Sequence, residues 1–371
     1  MNQNFRFTHP LTVTQFPAFI KLVKDNFKNI DSKYYPQLLA SGGVSLLFAP
    51  IRFLERALFD IRETKEPIQG PIFITGHWRC GTTLLQYMMT RDKRFGIVDP
   101  LMSYTLGFYH ILGWAFKPLI PAQLEEGRPM DNMKHAMDLP LEEYILFATT
   151  EAKSVYPLNY FPQKFMEYSM NAFVGQMSDA EKKHWLKKYD KLLRKVSSLN
   201  GGKRLLLKSP DATARVGFLK EAYPDAKFVN IYRNPYTVIR SSIHLYDKIF
   251  DLWALEELPD EETMEDLVIE VFKKMYETFF EDIKLLPKDS LYEVKFEEFE
   301  KNPLEIMEDI YTSLNIADYE VARDAVEKYW KEQEGYQKNQ FDYSPRLIKK
   351  VNERLGFYFE HYGYEMKEVI N

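Results

Sequence analysis

Apolar residues return every three or four positions over residues 11–65, for instance at Phe19, Ile20, Leu22, Val23 and Phe27, and this spacing predicts helices. Within that stretch residues 44–51 (VSLLFAPI) carry no charge, and Arg52, Glu55 and Arg56 follow. Such a segment reads as a helix packed on the main domain or as an interfacial helix that touches a membrane. The helical period stops at 72–75 (IFIT), a short apolar run of strand formers that predicts a buried strand. A helix is predicted over about 82–90. Residues 101–121 are aromatic-rich with Gly and Pro interruptions, which suits irregular helix or a lid. Helical spacing resumes over 140–150 and again over 179–199, where many lysines mark a solvated face. Short strands are predicted at 204–207, 227–232 and 291–296, with an acidic amphipathic helix over 260–285 and helices in most of the remainder.

Strands alternating with helices imply a mostly parallel sheet covered on both faces, a three-layer α/β/α architecture of the P-loop-like kind. Ligands of such sheets sit at the C-terminal ends of the strands. The 371 residues divide into a helical N-terminal part (1–65), an α/β core (70–300) and a helical C-terminal part (301–371), within one domain. Aromatics at 15%, including 27 Phe and 24 Tyr, fit a large core or a pocket for a bulky apolar ligand. A net charge of −5 argues against a nucleic-acid partner, so any anion site needs locally placed cations. The single Cys80 excludes an intrachain disulfide and a cysteine metal cluster. Residues 1–10 lack a secretion-signal pattern, and no unbroken apolar run has the length of a membrane span. The expected location is cytoplasmic, with peripheral membrane contact left open.

The chemistry concentrates in residues 71–85 (PIFITGHWRCGTTLL), which read as strand, tight loop and first turn of a helix. That arrangement turns backbone N–H groups and a helix N-terminus toward an anion. A nucleotide-triphosphate loop needs Lys directly after its second glycine, yet Gly81 is followed by Thr82 and Thr83 and the cation is Arg79. Two further strand ends carry cations before a helix start: Lys208 before Ser209-Pro210, and Arg233 before Asn234-Pro235. Neither strand ends in the acid that a magnesium-dependent NTPase places there. The pattern implies a multiply anionic cofactor held by cations and N–H groups without a metal.

The loop Gly76-His77-Trp78-Arg79-Cys80-Gly81-Thr82-Thr83-Leu84-Leu85 resembles the 5′-phosphosulfate loop of sulfotransferases, which use 3′-phosphoadenosine-5′-phosphosulfate (PAPS). Cys80 stands where many bacterial members have Ser. The segment LLLKSPDA resembles the family's central strand and its Lys-Ser/Thr-Pro turn. RNPYTVIRSS resembles the 3′-phosphate signature, with Ser241 eight residues after Arg233 and Ser242 read as structural. The resemblance implies that Arg79 clamps the 5′-phosphate and sulfonate, and that Gly76 and Gly81 allow close backbone approach. It also implies hydroxyl and N–H donors from Thr82 and Thr83, whose alternative is plain helix capping, and a 3′-phosphate site at Arg233 and Ser241. Lys208 then faces the bridging or sulfonate oxygen. Trp78, beside His77, is open to stacking on adenine or to core packing. Lys338 lies in a segment, Gln337-Lys338-Asn339-Gln340, that resembles the late cofactor-binding loop without its Arg-Lys-Gly.

The catalytic base is the departure from the cytosolic pattern. Those enzymes have Lys-Thr-His at the central strand end, and here the third residue is Pro210. The resemblance therefore passes to the branch in which a Glu from another segment is the base, with Glu142, Glu143 and His135 as candidates. Acids in the first turn of a helix also satisfy its dipole without any chemistry. The apolar segments 44–51 and 101–121 favour a lipophilic hydroxyl acceptor such as a sterol or lipid alcohol over a sugar. The competing classes are a small-molecule kinase with a degenerate loop and a nucleotide-binding protein without catalysis.

Overall fold

The computed structural model describes residues 9–63, 65, 67–120, 136–316, 318–333, 339 and 341–369, with 61–63 as backbone only. Its centre is a four-stranded sheet: β1 (Ile72–Thr75), β2 (Leu206–Lys208), β3 (Lys227–Tyr232) and β4 (Leu291–Lys295), in the order β2-β1-β3-β4. All neighbours are parallel, with Phe73 opposite Leu207 on one side and Phe228 on the other. A central strand of a parallel sheet is covered on both faces. Accordingly all of Ile72, Phe73, Ile74 and Thr75 are buried. With helices packed around the sheet, the fold is three-layer α/β.

The C-terminal ends of β1, β2 and β3 meet the helices that carry the site. The helix α4 (Thr82–Met89) starts directly after the loop that follows β1. After β2 comes a 3-10 helix, Pro210–Arg215, where an α-helix is expected from the sequence. Ser209 Oγ accepts the Tyr144 N–H at 3.3 Å, instead of capping that helix. After β3, the helix Pro235–Trp253 starts as its sequence predicts: Asn234 Oδ1 accepts the Tyr236 N–H at 3.1 Å and Pro235 opens the first turn.

Two more boundaries differ from the sequence pattern for identifiable reasons. The helix Glu143–Thr150 starts three residues later than expected: Glu142 is still extended, with ψ 129°, and the Leu141 N–H donates to the Val98 carbonyl at 2.8 Å. Residues 101–121 resolve, as far as they are described, into α5 (Pro100–Thr105), a 3-10 turn and α6 (Tyr109–Phe116).

The N-terminal part contains α1 (Phe16–Asn26), α2 (Tyr35–Leu47) and α3 (Ala49–Glu63). Ser32–Asp60 is helical, and it is long and apolar enough to cross a membrane by length and composition, although only 28% of its most apolar window is buried. In sequence it is not an unbroken apolar run, because Gln37, Ser41 and Ser45 interrupt it. A long helix Asp179–Leu199, with a capping box between Ser178 and Glu181, packs on α3. His135 and Lys338 lie outside the described residues.

Candidate active site

The loop after β1 is held in a conformation that two glycines make possible. Gly76 has φ +125°, and a Cβ there would lie 2.2 Å from the Ile231 carbonyl oxygen. Gly81 has φ +102°, and its Cβ would lie 2.4 Å from the Phe296 ring. Neither position admits a side chain. Arg79 also has positive φ, at 73°, which costs a non-glycine residue on the order of 1 kcal/mol. The surroundings fix it there. Arg79 Nε donates to Ser241 Oγ at 2.9 Å, and Arg233 Nη1 donates to the Arg79 carbonyl at 3.2 Å. The Gly76 N–H is held by Thr213 Oγ1 at 2.7 Å, which ties the loop to the helix after β2.

Arg79, Arg233 and Ser241 therefore form one cluster, although they come from two strand ends and a helix. The Arg233 guanidinium lies over the Phe296 ring, 4.1 Å from its centre. Its backbone is clasped by Tyr358, whose hydroxyl accepts from the Arg233 N–H at 3.4 Å and donates to the Arg233 carbonyl at 2.9 Å. Two guanidinium groups beside a serine hydroxyl and the N-terminus of α4 make a strong anion site. Thr82, which is buried, and Thr83 form the first turn of α4 beside it.

The end of β2 supplies the second half. Lys208 Nζ donates to Glu142 Oε1 at 2.6 Å, with the Lys208 side chain 5% exposed and that of Glu142 18% exposed. Glu142 Oε2 accepts from the Tyr156 hydroxyl at 2.5 Å. Burial and the neighbouring Glu142 carboxylate push the Tyr156 phenol well above its ordinary range, so it stays a donor.

Glu143 is placed quite differently. It is fully buried, accepts the Lys208 backbone N–H at 3.1 Å, and accepts the Tyr189 hydroxyl at 2.9 Å. Burial, and then the nearby Asp211, raise its pKa. Asp211 is itself locked to Arg215 at 2.8 Å, both side chains being buried. Glu143 is thus a strut under the strand end, while Glu142 is the more accessible carboxylate of the pair.

The remaining loop residues face elsewhere. The His77 ring packs 5.0 Å from that of Phe272 and 5.3 Å from that of Trp78, and burial lowers its pKa to about 4. Trp78 packs against the core, only partly covered. Cys80 is fully buried beside the Tyr276 hydroxyl at 3.8 Å, and burial pushes its thiol up to about 12. Sequence motifs point to neither Tyr156, Thr213, Phe296 nor Tyr358. Each is an ordinary hydroxyl or aromatic residue, brought to the site from a distant part of the chain by the fold.

Comparison with known proteins identifies the family. The profile of the sulfotransferase family matches residues 71–320. The chain is 26% identical over 354 residues to omega-hydroxy-beta-dihydromenaquinone-9 sulfotransferase Stf3 of Mycobacterium bovis, covering 94% of this chain and 90% of that protein. The Mycobacterium tuberculosis protein of the same name matches to the same extent. Among solved structures, sulfotransferase STF1 from Mycobacterium tuberculosis aligns with a TM-score of 0.68 at 16% identity, over 92% of each chain. STF9 from Mycobacterium avium gives 0.68 at 13% identity, over 95% of this chain and 98% of that one, so both share the fold. With the family profile spanning the whole parallel sheet and a relative aligned along nearly all its length, the chain belongs to the sulfotransferase family and is a sulfotransferase enzyme.

Proposed function

We propose that the enzyme transfers a sulfonate from PAPS to the hydroxyl of a lipophilic alcohol, with Glu142 as the general base. The observation that carries this reading is the pairing of two sites at adjacent strand ends. One is the Arg79–Arg233–Ser241 cluster at β1 and β3, and the other is the Lys208–Glu142–Tyr156 arrangement at β2.

The donor set suits the cofactor: guanidinium groups and a hydroxyl for phosphate oxygens, and a helix N-terminus at the glycine loop. Arg79, with Thr82 and Thr83, would hold the 5′-phosphate end, and Arg233 with Ser241 the 3′-phosphate. Bound there, PAPS supplies an activated sulfonate whose bond to the 5′-phosphate oxygen is the one that breaks. Glu142 takes the proton from the acceptor hydroxyl. Tyr156 keeps its carboxylate oriented by donating to the other oxygen. The Lys208 ammonium offsets negative charge where it grows, the task for which preorganised donors are most effective. Glu143 and Tyr189 brace the backbone that carries Lys208 and touch no reacting group.

The lipophilic acceptor is supported by the likeness to an omega-hydroxy-beta-dihydromenaquinone-9 sulfotransferase, aligned along 94% of the chain. It is also supported by the aromatic residues Tyr104, Phe108, Tyr109 and Phe116 of segment 101–121. Metal independence belongs to the same reading.

Calorimetric titration with the desulfated product, 3′,5′-adenosine bisphosphate (PAP), tests the cofactor half. Arg79→Ala and Arg233→Ala are each expected to reduce PAPS-dependent turnover by roughly 10²-fold or more, with weakened PAP binding. Near-normal turnover and binding in either variant would remove that residue from the site.

A further inference from the structure

The helices α2 and α3 are amphipathic in the wrong sense for a surface helix of a soluble protein, which turns its apolar stripe inward. Their inner positions are mostly polar, Leu38 being the buried apolar residue of α2. Gln37, Ser41 and Ser45, spaced four apart, are buried, and Gln37 Nε2 donates to Ser41 Oγ at 3.0 Å. Ser45 Oγ donates to the Thr14 carbonyl at 2.6 Å. Arg52 is buried and donates to the Val13 carbonyl at 3.1 Å. The buried Glu55 carboxylate takes Lys195 Nζ at 3.0 Å and the N–H groups of His110 and Ile111, each at 3.2 Å.

Their outer positions are apolar. Leu39 is 77% exposed, Leu47 71%, Phe53 74% and Leu58 60%, with Leu46 and Leu54 about half exposed between them. The face continues onto α6, which packs on α3 and leaves Trp114 74% exposed, and onto Leu119 just beyond it. Contiguous apolar surface of this kind marks an interaction site.

Charge on this face selects the occupant. Between Tyr35 and Leu58 the one exposed charged residue is Arg56, whose guanidinium also donates to Gln15. Lys28 is exposed shortly before α2, and Lys117 is exposed next to α6. Asp31 is paired with Lys33 at 3.0 Å, and Asp60 with Lys191 at 2.5 Å. A chain with net charge −5 thus gathers an apolar face with a cationic rim. A second copy of the chain would set those cations against the same cations, with no exposed acid between Tyr35 and Leu58 to meet them. A membrane-spanning arrangement would expose the buried ion pair of Glu55 and Lys195 to lipid, at high cost.

We propose that the outer face of α2 and α3, continued by α6, docks in the plane of a lipid bilayer whose headgroups are anionic. Leucine and phenylalanine side chains enter the headgroup boundary, and Trp114 sits at its level, as indoles do. Each buried side chain contributes on the scale of apolar transfer, and each rim cation adds attraction that salt screens. The surface is independent of the acceptor's identity and of the cofactor site.

Flotation of the 371-residue chain with vesicles tests it, using phosphatidylcholine alone and phosphatidylcholine mixed with phosphatidylglycerol. The enzyme is expected to float with the mixed vesicles and to lose binding in high salt. Leu47→Glu with Phe53→Glu is expected to reduce vesicle binding at least about tenfold while PAP affinity stays unchanged. Arg56→Glu with Lys117→Glu should weaken binding to the anionic vesicles several-fold and leave PAP affinity alone. Should the first pair lose PAP binding through misfolding, Leu54→Gln with Leu58→Gln provides the same comparison. Failure of the wild-type enzyme to float with either vesicle overturns the proposal. So does unchanged flotation of the glutamate pair, or a dimer in sedimentation equilibrium that the pair dissociates without any vesicle binding. PAP titration is read separately, so loss of the docking surface and loss of the cofactor site give different results.

Discussion

Glu142 and Glu143 are adjacent in sequence and carry the same functional group, yet their surroundings give them different work. Glu142 meets an ammonium and a phenol at the accessible end of β2. Glu143 is fully enclosed by a backbone N–H and a tyrosine. Glu142→Gln is therefore expected to lower kcat by about 10²-fold or more, the scale of a general base, with PAP affinity little changed. Glu143→Gln should instead destabilise the fold, by on the order of 1 kcal/mol for the impaired buried hydrogen bonds, which lowers the unfolding midpoint, and retain turnover in the enzyme that stays folded. Steady-state kinetics beside thermal unfolding separates the two, and exchanged outcomes would exchange the roles. The pair of candidates is legible in the sequence, because a Glu-Glu start to a helix is visible there. Which of the two is accessible is not, since that depends on Tyr156, Tyr189 and Asp211, each contributed by another segment.

The elements were legible in proportion to how local their causes are. Pro235 after Asn234 fixes a helix start within the local sequence, and the structure has it there. The helix at residues 179–199 is flagged by its lysine-rich period and ends where expected. Boundaries set by distant partners were not legible. The delayed start at Glu143 goes with a hydrogen bond between Leu141 and Val98, and the 3-10 turn after Lys208 with a Ser209 hydroxyl that serves Tyr144. The segment 44–51 shows the same limit. Its composition leaves core and interface open, and only the burial of Ser45, Arg52 and Glu55 reveals that the polar side faces inward.

At the scale of the whole molecule, the loop after β1 couples the site to stability. His77 sits wholly inside, with its pKa lowered from 6.5 to about 4 by burial. The unfolded chain therefore binds the proton more readily throughout that interval. Stability from this group is complete above about pH 6.5 and is lost as pH falls through 4, by up to about 3 kcal/mol. Glu143, raised by burial, acts in the opposite direction, with its stabilising effect lost as pH rises above the ordinary carboxylate range. Denaturant unfolding of wild type and His77→Gln at a series of pH values isolates the histidine. A shallower fall for the variant between pH 6.5 and 4 is expected, and parallel curves would contradict the assignment.

The function proposed above has two guanidinium groups and a serine holding an anionic sulfonate donor while Glu142 activates an acceptor hydroxyl beside it. The most direct measurement is transfer of radiolabelled sulfonate from PAPS to a panel of lipid alcohols by the enzyme, with EDTA present and ATP as the competing donor. Label in an organic-soluble product, unaffected by EDTA and greatly reduced in Glu142→Gln, is the predicted result. Tight PAP binding with no labelled product from any acceptor, or magnesium-dependent phosphate transfer from ATP, would contradict it.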